Sequence, residues 1–62
     1  MKYRELEDYL RELGCVPTGK SRAKHPEWTN PTNGLKTKLS HHKSQEVPPG
    51  TLHAILKGLG LK

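Results

Sequence analysis

Two apolar stripes of helical period lie at opposite ends of this chain, and nothing between them shares that period. Leu6, Tyr9, Leu10 and Leu13 recur at i, i+3, i+4, i+7, and so do Leu52, Ile55, Leu56 and Leu59. That spacing puts each set on one face of a helix. The first helix is expected over residues 3–13, with Gly14 placed to take the left-handed conformation that stops it. Pro49 suits the first turn of the second helix, where no amide donor is required, and Gly60 closes it. Two one-sided helices need a partner for their stripes, and in 62 residues only the middle of the chain can supply it.

That middle reads as strands. Cys15-Val16 opens a short one, with Pro17, Gly19 and Ser21 implying a loop or an irregular edge. Residues 23–29 form a second possible strand. Asn30-Pro31-Thr32-Asn33-Gly34 is the clearest turn, its Asn-Gly pair able to take positive φ. From Leu35 to His41 the chain alternates, with Leu35, Thr37 and Leu39 on one face and Lys36, Lys38 and Ser40 on the other. An apolar underside and a cationic outside follow. Residues 42–49 are polar and proline-rich, hence a loop. The expected fold is α+β, in the order α-β-β-β-α. A three-stranded antiparallel sheet is covered on one face by two helices, in a single domain over residues 1–62.

Size limits what such a domain can do. Hydrophobic residues make up 31% of the chain, with no Phe and one Trp, so the core must be thin. A deep pocket holding several catalytic groups is not expected, and any enzyme here works at a shallow surface. The lone Cys15 cannot form an internal bridge, which suits a reducing cytosol. No apolar run approaches signal-peptide length or the ~20 residues needed to span a bilayer. A soluble, cytoplasmic protein is expected, without membrane association.

Charge is unevenly distributed. The net charge is +5, yet residues 1–14 carry one more acid than base, while the rest holds eight Lys/Arg against Glu27 and Glu46. Such polarity points to a polyanion partner along the later segment, nucleic acid ahead of a basic face kept only for solubility. Lys20, Arg22, Lys24, Lys36, Lys38 and Lys43 form the candidate phosphate track. Trp28 either stacks a base or anchors the core. His25 sits in the most basic stretch, Lys24-His25-Pro26-Glu27-Trp28. A lone imidazole among cations is a poor metal site but a reasonable proton-transfer group beside a bound phosphate chain.

The other histidines argue against a metal. His41 and His42, if adjacent on a strand, point to opposite faces and cannot readily hold one ion. The chain has neither a Cys-x-x-Cys nor a His-Glu-x-x-His pattern, so no metal and no cofactor are expected. His42 offers a second proton-transfer or phosphate contact, or is an ordinary loop residue. His53 is expected to pack or to face solvent.

From Lys2 to Leu61 the chain resembles the HicA (YcfA-like) family of small bacterial toxins. The resemblance rests on the Lys-x-x-Glu-Leu opening of a helix ending at Gly14, the histidine before the turn, and Gly34 before the basic strand. His42 after that strand and the Gly50-Thr51-Leu52…Ile55-Leu56 helix complete it. The last signature is the most specific. The resemblance implies a double-stranded-RNA-binding-domain-like fold and the toxin role of a type II toxin–antitoxin system. It further implies metal-independent cleavage of mRNA by a single catalytic histidine, here His25, a HicB-type antitoxin as partner, and a toxin monomeric when alone. The chain departs from the family in carrying Ala23-Lys24 where members have Gly-Ser, and Pro26 after the histidine.

RNA supplies its own nucleophile in the 2′-hydroxyl, so a protein need only orient the strand, move protons and stabilise charge. An imidazole, with an unperturbed pKa near ~6.5, can give or take a proton at neutral pH. Whether His25 serves as base or acid is open at this level. The competing reading is a non-catalytic RNA-binding module of the same fold.

Overall fold

In a computed structural model of the chain, residues 1–22 and 25–61 are described, Arg22 by its backbone alone. The expected start of the second strand at Ala23, and Lys24 of the phosphate track, lie outside the described residues. The element order is α1 (Tyr3–Glu12), β1 (Val16–Arg22), β2 (His25–Asn30), β3 (Leu35–Lys38) and α2 (Pro49–Gly58). The strands form one antiparallel sheet in the order β1-β2-β3, so the histidine strand is central. The α+β architecture expected above is the one observed.

The core lies between one sheet face and the two helices. Leu6, Leu10, Cys15, Trp28, Leu39 and Leu59 are fully buried, joined by Tyr3, Val47, Ile55 and Leu56. Burying an aliphatic side chain of this size stabilises by about 1.5–3 kcal/mol. In α2 the buried residues are those of the stripe. In α1 the buried face is Tyr3, Leu6, Glu7 and Leu10, rotated from the expected one, and Tyr9 and Leu13 are exposed. The helix ends at Glu12, which leaves Leu13 as the cap beyond the last packed turn.

The first turn of α1 is closed by a distant segment. Tyr3 N donates to Gln45 O at 3.0 Å, Arg4 N to Lys43 O at 3.1 Å, and Val47 N to Met1 O at 2.8 Å. Amides that a helix leaves unpaired at its start are thereby satisfied by the loop between β3 and α2. That loop is fixed against α1.

The β2–β3 turn is held by side chains. Buried Asn30 donates through Nδ2 to Leu59 O at 2.8 Å, and Asn33 Nδ2 reaches the same oxygen at 3.0 Å. Both asparagines therefore satisfy a carbonyl at the end of α2. Gly60, at φ +70, lets the turn approach this closely, because a Cβ there would collide with the Asn33 side chain.

Two strand details differ from the sequence reading, the course of β1 and the end of β3. β1 runs through Pro17, Gly19 and Ser21 as a strand whose register shifts between Pro17 and Ser21, so Thr18, Gly19 and Lys20 all oppose Glu27. Gly19, at φ +85, accommodates this bulge. Pro26 pairs with Ser21 at the edge of that irregularity, which fits a residue without an amide donor on a central strand. β3 ends at Lys38 rather than reaching His41.

Candidate nucleic-acid interface

Alternation along β2 decides which side chains meet solvent. Trp28 and Asn30 are buried toward the helices, so His25, Glu27 and Thr29 project from the opposite face. Lys36 pairs with Thr29 and Lys38 with Glu27 in the β2–β3 register, which puts both lysines on that outer face. Both are exposed, as is Lys20 in the bulge. Arg22 stands opposite His25 in the register. No concave pocket occurs among the described residues. The outer sheet face is an open, largely cationic surface.

His25 is exposed at the start of β2, and its Nδ1 lies 3.3 Å from Leu39 O. A carbonyl oxygen only accepts, so Nδ1 carries the proton and Nε2 holds the lone pair of the neutral ring. The hydrogen bond leans the imidazole toward the exit of β3. There it meets a second imidazole, His41, with ring centroids 6.2 Å apart and an interplanar angle of 67°.

His41 and His42 do not alternate as a strand would require. Because β3 has already ended, His41 sits in a bend and His42 in irregular chain after it, with their ring centroids 3.8 Å apart. The opposite-faces argument fails for that reason. Among the described residues no group of three His, Cys, Asp or Glu side chains could hold a metal ion.

The sequence-level candidates thus separate. His25, Lys36 and Lys38 share the outer face, with Lys20 at its margin, while His42 stands beyond the end of β3 with His41. Lys43 turns toward α1, where its ammonium lies 3.6 Å from the carboxylate of buried Glu7. Trp28 is 1% exposed, with the Arg11 guanidinium 5.0 Å from its ring centroid, so it anchors the core and stacks no base. His53 is exposed on α2.

Glu27 belongs to this face and was not singled out from the sequence, although it stands two residues from His25 on a strand of period two. Its Oε1 accepts the Thr18 hydroxyl at 2.8 Å, which ties the carboxylate toward β1. Away from this face, burial raises the pKa of the Cys15 thiol. A neutral, buried thiol is a poor nucleophile.

The family model described as "HicA toxin of bacterial toxin-antitoxin" matches residues 3–61. No curated protein and no solved structure matches the chain significantly. No helix among the described residues is long and apolar enough to cross a membrane.

Proposed function

Because the chain belongs to the HicA toxin family of bacterial toxin–antitoxin systems, we propose that it is a metal-independent endoribonuclease that cleaves mRNA and so arrests translation. The observation that carries this reading is the placement of His25. Its ring is exposed on the cationic sheet face, and its Nδ1 is held by the Leu39 carbonyl.

RNA crosses the outer face with its phosphates on Lys36, Lys38 and Lys20, joined by Arg22 and Lys24. The 2′-hydroxyl beside the scissile phosphate gives its proton to His25 Nε2. Its oxygen bonds to phosphorus, the bond to the 5′ oxygen breaks, and that oxygen takes up a proton from a group or water on the far side of the phosphate. The products are a 2′,3′-cyclic phosphate and a 5′-hydroxyl. Cations near the phosphate stabilise the charge that grows in the transition state. Proton transfer by a positioned side chain contributes typically ~10²–10⁴-fold. The shallow surface suits a substrate that brings its own nucleophile.

The neutralising partner is a HicB-type antitoxin whose acidic surface covers this face, since charge complementarity would steer the encounter and exclude RNA. The experiment is incubation of RNA and matched DNA with the protein in excess EDTA, followed by analysis of the ends. Cyclic phosphate termini from RNA, with DNA intact, support the reading. Salt-sensitive binding that leaves RNA whole would make the protein a binding module.

A further inference from the structure

One imidazole leaves half of the proposed reaction unserved. In an in-line displacement the attacking and leaving oxygens lie on opposite sides of phosphorus, so a group that takes the proton from one cannot also protonate the other in that step. With Nδ1 of His25 engaged by Leu39 O, only Nε2 remains to exchange protons with RNA. A second group must stand across the phosphate.

Glu27 is held toward β1 by Thr18, whereas the His25 ring leans toward β3. Lys43 is directed to Glu7 on α1. His41 is the side chain in the right place: exposed, edge-on to His25 at 6.2 Å between centroids, and backed by the His42 ring at 3.8 Å. A phosphate lying against the exposed edges of both rings would bring its oxygens to about 2.6–3.2 Å from a nitrogen of each.

The position is also built rather than incidental. His42 N donates to Ser40 Oγ at 3.1 Å, Lys43 N to His41 O at 3.1 Å, and Gln45 N to His42 O at 3.1 Å. Amides of α1 then pin Lys43 and Gln45. Among the described side chains, the charged groups nearest in the chain and register are Lys38 at the end of β3 and Lys43, itself paired with Glu7.

We propose that His41 is the second catalytic residue, a general acid that protonates the leaving 5′ oxygen while His25 accepts the 2′ proton. This rests on the nuclease reading above. The proton count balances: one is taken up by His25, one is given by His41, and the exchange reverses when the product has left.

The test compares wild type, His25→Ala, His41→Ala and His41→Asn on two oligoribonucleotides, one natural and one with sulfur replacing the bridging 5′ oxygen at a single linkage. A thiolate departs without being protonated. The His41 variants are expected to lose on the order of 10²–10⁴-fold on the natural linkage and to cleave the sulfur linkage within a few-fold of wild type. His25→Ala should be impaired on both. Circular dichroism verifies that the variants are folded. Wild-type rates for both His41 variants on natural RNA, or equal losses on both linkages, would overturn the assignment of His41. Intact natural RNA with wild-type protein would instead remove the nuclease reading itself, and this proposal with it.

Discussion

His25 Nδ1 and the main-chain oxygen of Leu39 are 3.3 Å apart, across the open end of the sheet. The pairing fixes both the ring's orientation and its tautomer, and the proposed chemistry uses the nitrogen left over. In the neutral protein, nitrogen-15 NMR should show His25 as the Nδ1–H tautomer. An Nε2–H tautomer would mean that the hydrogen bond is not formed in solution and that the proton-accepting nitrogen points elsewhere.

Binding to RNA should depend on salt less steeply than the number of basic residues suggests. Lys20, Lys36 and Lys38 alone correspond to a log–log slope of about −2, and Arg22 with Lys24 would bring it to about −3.5. Replacing Lys36 or Lys38 by Ala should reduce the slope by about 0.7. Lys43→Ala should leave it unchanged, because that ammonium faces Glu7. A slope near zero would contradict the electrostatic account.

Glu27 is a negative charge on a surface that otherwise attracts phosphate. Glu27→Gln should tighten RNA binding several-fold at low salt, with the gain shrinking as salt screens it. Unchanged affinity at all salt concentrations would place the RNA path away from the centre of β2.

Asn30 joins the β2–β3 turn to the end of α2 through its bond to Leu59 O. Asn30→Ala removes that bond and leaves a buried carbonyl with less to satisfy it, at a cost of about 1–3 kcal/mol. In so small a domain this should appear as a clearly lower urea midpoint. A midpoint equal to wild type would show the clamp to be dispensable.

Much of this architecture was legible because short-range patterns determined it. Leu52, Ile55, Leu56 and Leu59 declared their helix face by spacing, and Asn33-Gly34 declared the turn. The alternation from Leu35 onward separated Lys36 and Lys38 from the core. What escaped was set by contacts distant in sequence. Loop residues Lys43 and Gln45 satisfy the amides of α1, and Lys43 meets buried Glu7, so a charged residue enters the face where Tyr9 and Leu13 were expected. The early end of β3 had no marker in its composition, and with it went the approach of His41 to His25. Glu27 was readable from the period of β2, but its tie to Thr18 depends on a bulge that only the paired strands reveal.

Cys15 offers an independent probe of the core. Burial holds its thiol above the ordinary value of 9.0, so the folded state keeps the proton that the unfolded chain gives up first. The resulting contribution to stability is complete below the unfolded pKa and declines as pH rises beyond it. Alkylation near pH 8 should be slow in the folded protein and fast in urea. Rapid modification without denaturant would indicate that the contact between α1 and the sheet opens readily.

The most direct measurement is the single-turnover rate of RNA cleavage in excess EDTA, for wild type and His25→Ala with matched circular dichroism. The proposed mechanism predicts metal-free cleavage to cyclic phosphate ends and a loss on the order of 10²–10⁴-fold in the variant. Cleavage at the wild-type rate without the imidazole would contradict it.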